Sequence, residues 1–218
     1  MDAVSEYDGD LARQADSFAA LFKVWQKDWN GQKPHVIAHD NAGLLSLRAY
    51  LLHDCSYASL CLIDVVAIGP FGQTLFKVVA ESPEKFEQLP DTAFEGILES
   101  YIKDAAYKEL PSDLMHMLKA PWLKEGGKVG FIRQLCQANS RNTDAVEGKY
   151  HTVGLNLPVK VIWGAEDSWI PVEAATRLGK ALNAKEIVVV EEAGHLIMYD
   201  QGTQVGVEIG QWVTENQK

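Results

Sequence analysis

Short apolar runs alternate with stretches of helical spacing along this chain, and that alternation leaves it few ways to fold. His35-Val36-Ile37-Ala38 is a compact apolar run, and from Asn41 onward Leu44, Leu45, Leu47, Ala49, Leu51 and Leu52 have helical spacing. Leu60-Cys61-Leu62-Ile63 is the next run and ends at Asp64. The pattern recurs near the C-terminus: a strand at 159–163, a helix at 171–182, a strand at 187–190 and a closing helix over 204–215. Strand–helix–strand repeats of this kind predict an α/β fold built on a parallel sheet. Residues 10–29 form a further helix whose apolar face is Leu11, Ala15, Phe18, Leu21, Phe22 and Trp25, with Asn30-Gly31 as its stop.

Between the two βαβ stretches, from about 67 to 150, Pro and Gly punctuate short helical segments and no strand pattern occurs. We therefore expect a helical insertion over 67–150, carried on a core made of 1–66 and 151–218. The length of 218 residues suits a single domain with such an insertion. No apolar run reaches the roughly 20 residues of a membrane helix, and the opening MDAVSEYDGD is too acidic for a signal or transit peptide. Cys55, Cys61 and Cys136 lack metal-ligand spacing and read as reduced thiols of a cytoplasmic protein. A net charge of −10 disfavours nucleic acid and anionic membranes as partners. Neither a G-x-G-x-x-G nor a Walker A segment is present, so no cofactor is expected. No metal is expected either, because His39 and Asp40, consecutive on a strand, point to opposite faces.

Three chemically capable residues stand just past the ends of predicted strands: Asp40, Asp167 and His195. In parallel α/β sheets that edge is where ligands bind. Asp40 sits in Ala38-His39-Asp40-Asn41-Ala42-Gly43, where small neighbours let a strand turn sharply into a helix and leave the central side chain exposed. The helix beginning at Asn41 would aim its first amides at the same point. The plain alternative is that Asp40 is only an N-cap. Asp167 lies in Gly164-Ala165-Glu166-Asp167-Ser168, and could either orient a histidine or cap the helix near Pro171. His195 follows Gly194, which permits a close approach; its alternative is an ordinary surface loop residue.

The segments AHDNAG (38–43), VIWGAEDSWIPV (161–172) and EEAGHL (191–196), in that order, resemble the α/β-hydrolase superfamily over nearly the whole chain. Aspartate at the elbow, preceded by histidine, resembles the epoxide hydrolase and haloalkane dehalogenase branch. The resemblance implies a partial α/β-hydrolase-like parallel sheet flanked by helices, with a helical cap insertion and a small-molecule substrate. It implies Asp40 as nucleophile, already ionised at neutral pH, Asp167 as orienting acid, and His195 as the base that hydrolyses an ester on Asp40. The Asn41 amide is the first oxyanion donor. Epoxide hydrolases protonate the leaving oxygen with cap tyrosines, for which Tyr101, Tyr107 and Tyr150 are the candidates. Haloalkane dehalogenases often carry Trp where this chain has Asn41. Asp64, at the end of the second strand, is the rival to Asp167 as triad acid. Trp122, Trp163 and Trp169 are pocket or packing residues, with Trp169 the substrate-binding candidate.

In that family several strands and a His-Gly loop, the source of the second oxyanion amide, precede the elbow. Here the elbow arrives at residue 40, which would leave strand 35–38 on an exposed sheet edge. Three readings stay open: a truncated gene product, a fragment of a longer protein, or edge-to-edge pairing into a homodimer. Accordingly a non-catalytic remnant serving as a binding or interaction module is the alternative to a hydrolase. A third reading keeps the fold but makes the reaction C–C or ester hydrolysis, with Asp40 in another part.

Overall fold

A computed structural model describes residues 10–70, 75–137 and 140–217. Four strands, β1 (His35–Asp40), β2 (Ser59–Val65), β3 (Val159–Gly164) and β4 (Glu186–Val190), form one sheet in the order β1-β2-β3-β4. Every neighbouring pair is parallel. β2 and β3 are buried along their whole length, as the unbroken apolar runs require of central strands covered on both faces. β1 and β4 lie at the two edges. Ile37 on β1 is 46% exposed, which marks that strand as the edge expected from the sequence.

Helices supply both covers. α1 (Leu11–Trp25) starts at Asp10, whose carboxylate accepts the amides of Ala12 and Arg13, and buries Leu11, Ala15, Ala19 and Phe22. It packs on α2 (Asn41–Leu52), and together with α10 (Glu173–Leu182) they enclose the larger core, which includes Leu44, Leu62, Val161, Trp163 and Leu178. The other face carries Cys61, Ile63, Ile162 and Val190 under Val205 and Trp212 of α12 (Gly202–Glu215). Cys55, Cys61 and Cys136 are free thiols, and burial pushes Cys61 up to about 12. Among the described residues no helix is long and apolar enough to cross a membrane.

The regular elements described between β2 and β3 are all helices, joined by short irregular connections such as 105–111. α3 (Leu75–Glu81), α4 (Pro83–Glu87), α5 (Asp91–Asp104), α6 (Ser112–Leu123) and α7 (Gly127–Cys136) share an apolar cluster of their own, with Phe94, Leu98, Ile102, Phe131 and Leu135 at its centre. α8 (Arg141–Glu147) behaves differently. Val146, Tyr150 and, on α9 (Val153–Asn156), Val153 belong to the sheet-side core instead. The helices that form a separate layer therefore end near 137, while 141–150 packs with the sheet.

Candidate active site

The site is built at the carboxyl ends of β1, β2 and β3 and the loop after β4. Asp40 closes β1 with φ 51 and ψ −130, a backbone state rarely adopted by a residue with a side chain. Close packing on both sides of the turn supports it. Ala38 is buried, and a Cβ on Gly43 would fall 2.4 Å from Val65, so α2 lies hard against β2. Asp40 makes no capping bond to α2; its Oδ2 instead accepts from the side chain of Asn41 at 3.1 Å. Asp40 thus occupies the N-cap position of α2 on a sharp strand-to-helix turn, without its side chain serving as the cap. The Asn41 amide opens α2, a position with no acceptor inside the helix.

His195 is 1% exposed, and its Nδ1 donates to Asp167 Oδ2 at 2.9 Å. The other Asp167 oxygen accepts the amides of Trp169 and Ile170, at 2.8 and 2.9 Å. Asp167 thus caps its own loop and holds the imidazole with the same carboxylate. Because a carboxylate only accepts, the proton of neutral His195 sits on Nδ1 and the Nε2 lone pair faces Asp40 Oδ1 at 3.7 Å. Nε2 has no hydrogen-bond partner among the described residues. Burial opposes a charge on His195, but the hydrogen bond and charge of Asp167, with the charge of Asp40, outweigh it and raise the imidazole above its ordinary value.

Asp64 does not reach the imidazole. Its Oδ1 accepts the amide of Gly164 at 2.7 Å, stitching β2 to β3, and its Oδ2 has no partner among the described residues. Burial, reinforced by the charge of Asp167, pushes this carboxyl up to about 8, so it is largely neutral at pH 7. The acid in contact with His195 is Asp167. His39 Nε2 donates to the carbonyl of His195 at 2.9 Å, with the two rings 4.9 Å apart. Burial, then the charge of His195, lowers its pKa. No cluster of potential metal ligands occurs among the described residues.

A cavity of about 270 Å³ opens over Asp40 and Asn41. Leu98, Tyr101, Leu118, Trp122 and Phe131 of the helical layer form much of its wall. Of the three candidate tyrosines only Tyr101 faces it. Its phenol is held above the ordinary value by burial and then by the charge of Asp40, so it keeps its proton. Tyr107 is 51% exposed and lies outside the cavity. Tyr150 is buried in the sheet-side core and donates to the Ala67 carbonyl at 2.6 Å. Both are corrections to the sequence reading: Tyr107 lies in the irregular connection after α5 and Tyr150 in a 3-10 turn packed with the sheet-side core, so neither is on a helix facing the cavity. Trp169 lines the cavity, stacked between Tyr101 (4.2 Å) and His195 (4.8 Å). Trp122 lines it as well, whereas Trp163 packs in the core and donates to the Ile170 carbonyl.

Two contributors had not been read from the sequence. Leu11 and Gln14 of α1 also line the cavity. A signal existed: α1 precedes β1 through a short connection, so its first turn must lie at the strand's carboxyl edge. The other is Asp200, buried beside the His195 loop, whose carboxylate accepts the amides of Tyr107, Lys108 and Gly194. Nothing but an acid among apolar neighbours marked it.

Comparison with known proteins bears on the family and the fold. Residues 2–206 match the family described as Alpha/beta hydrolase family. An alpha/beta hydrolase fold protein from Burkholderia ambifaria superposes with a TM-score of 0.84 at 31% identity, over 94% of this chain and 73% of that one. A meta-cleavage product hydrolase aligns at 0.75 and 16% identity, over 96% of this chain and 74% of the other. An esterase from Exiguobacterium antarcticum aligns at 0.71 and 15%, over 92% and 74%. No curated protein matches the sequence.

Proposed function

The chain belongs to the alpha/beta hydrolase family, and from that premise we propose that it hydrolyses a small apolar substrate through a covalent ester on Asp40. Family and fold support a hydrolase; the choice of mechanism rests on the elbow residue and its distance from the base. A serine at this turn would need His195 to take its proton. Aspartate needs no such help. The separation of 3.7 Å between His195 Nε2 and Asp40 Oδ1 is longer than a hydrogen bond, and it leaves the Nε2 lone pair for a water. That separation is the observation that carries the reading.

Among substrates of this class an epoxide suits the cavity best, because Tyr101 offers a protonated phenol in the same space as Asp40. Asp40 attacks an epoxide carbon, the C–O bond breaks, and the oxygen takes the phenol proton, which leaves a glycol monoester and a phenolate. Water then adds to Cγ of Asp40 while giving a proton to His195, with the Asn41 amide donating to the oxyanion. Collapse expels the diol oxygen, which takes the proton back from His195. The proton shed by the regenerated carboxyl restores the phenol. The sum is epoxide plus water to vicinal diol.

The test is a His195→Gln variant incubated with aryl and alkyl epoxides and with 1-haloalkanes. An adduct on the Asp40 peptide, equal in mass to the epoxide, is expected to persist, and to be absent from Asp40→Asn. A folded His195→Gln protein that forms no adduct with any of these compounds would sink the reading. Tyr101→Phe separates the substrates. Epoxide alkylation is expected to slow by about 10²-fold, while haloalkane alkylation, which needs no acid at the leaving group, stays within about 3-fold. Equal slowing of both would remove Tyr101 as the acid.

A second reading, a binding module without turnover, is favoured by one observation. Among the described residues β1 is an edge strand, with no neighbouring strand and loop to bring a second amide to the Asp40 ester. Loss of one oxyanion donor lowers rates by about 10²–10³.

A further inference from the structure

We propose that Asp200, at the end of α11 (Ile197–Asp200), is a positioning residue that locks the His195 loop to the helical layer above it. Its Oδ2 accepts the amides of Tyr107 and Gly194, both at 2.9 Å, and its Oδ1 accepts the amide of Lys108 at 2.8 Å. Lys108 Nζ returns to the Asp200 carbonyl at 2.7 Å. One buried carboxylate therefore joins the residue before His195 to a segment some ninety positions upstream.

The two segments meet nowhere loosely. The Leu196 amide donates to the Ala105 carbonyl at 2.8 Å, so both neighbours of His195 are tied to the chain that leaves α5. A Cβ on Gly194 would lie 2.8 Å from that same carbonyl and 2.9 Å from the Tyr107 amide, so only glycine admits this approach. Ser168, beside Asp167, donates to the carbonyl of Asp104. The stretch 104–108 thus holds the loop of the acid and the loop of the histidine together, and α5, which leads into it, carries Tyr101 to the cavity. A shift of this segment moves the base relative to Asp40, and displacement of about 1 Å is enough to lower a rate by about 10²-fold.

Three donors on two oxygens make the site intolerant of an amide. In Asp200→Asn, whichever way the side chain turns, its NH₂ faces a backbone N–H. The assignment rests on His195 acting in ester hydrolysis, and the experiment separates the two ideas. In Asp200→Asn, alkylation of Asp40 by an epoxide, followed by rapid quench and mass spectrometry, is expected to stay within about 3-fold of wild type. Ester hydrolysis is expected to fall by about 10²-fold, so that adduct accumulates. Independently of any turnover, the His195 imidazole resonance, assigned by its loss in His195→Gln, is expected to titrate at lower pH in the variant as its contact with Asp167 loosens. An unchanged titration overturns the proposal, as does equal slowing of alkylation and hydrolysis. If the wild-type protein forms no ester, the aspartyl-ester reading fails by itself and the titration still decides the role of Asp200. Should Asp200→Asn not fold, Gly194→Ala disturbs the same contact without touching a charge, and the same two readouts apply.

Discussion

Asp167→Asn is expected to lower turnover by about 10⁴-fold in a protein that still folds. The asparagine keeps a carbonyl oxygen for the amides of Trp169 and Ile170, which now reach Asp167 Oδ1 at 2.8 and 2.9 Å. Its NH₂ then occupies the place of Oδ2, 2.9 Å from His195 Nδ1. A donor at that point makes Nδ1 the acceptor and moves the imidazole proton to Nε2, toward Asp40. The base is then in the wrong tautomer to accept a proton from water, and nothing stabilises the imidazolium that hydrolysis requires. Alkylation of Asp40 does not use His195, so the ester should form at a near-normal rate and persist. Pre-steady-state quench measurements would show this as a full burst of adduct followed by slow release. Asp64→Asn is the control: Asp64 makes no bond to the imidazole, and the change should alter turnover by less than about 10-fold. A larger loss from Asp64→Asn than from Asp167→Asn would reassign the acid.

Much of this site could be read from the order of residues, for a physical reason. A parallel sheet puts every strand's carboxyl end on one edge, so a polar residue one to five positions past an apolar run is already located in three dimensions. Asp40, Asp167 and His195 were placed that way, and Gly194 was read as the mark of a close approach. The same logic places the first turn of α1 beside Asp40, although Leu11 and Gln14 had not been read from it. What the sequence withholds is the orientation of the helical layer. Tyr101, Tyr107 and Tyr150 all fall within 67–150, yet one faces the cavity, one faces solvent and one is buried in the sheet-side core. The end of that layer near 137 was also hidden, because the spacing in 141–150 is helical whether it packs on a cap or on a sheet. Asp200 escaped notice because its partners are backbone amides, which no residue type announces.

The charge state of Asp64 was equally hidden, and it makes a separable contribution to how the fold responds to pH. An ordinary aspartate titrates at 3.8, whereas burial pushes this one up to about 8 in the folded protein. Between those values the folded state holds a proton that the unfolded chain has released. The contribution of Asp64 to stability therefore falls as pH rises from about 4 to about 8, by at most about 1.4 kcal/mol per unit, and levels off above pH 8. His195 adds a loss of the same sign: its raised pKa supports the fold below pH 6.5, and that support disappears as pH rises through its folded value. Asp64→Asn removes the first contribution and keeps the second. Its carbonyl oxygen can still accept from Gly164, but its NH₂ takes the buried place of Oδ2, where no partner lies among the described residues. At pH 5, where the wild-type carboxyl is neutral, the variant should be less stable by about 1–3 kcal/mol. At pH 9 the wild type must bury a negative charge, which costs it about 4 kcal/mol relative to pH 5, and the order should reverse, with the variant more stable by about 1–3 kcal/mol. Urea unfolding of both proteins from pH 4 to pH 9 measures this directly. Two curves that run parallel across the range would mean that Asp64 is ionised throughout, and that the group beside Asp167 is a second charge instead of a neutral acid.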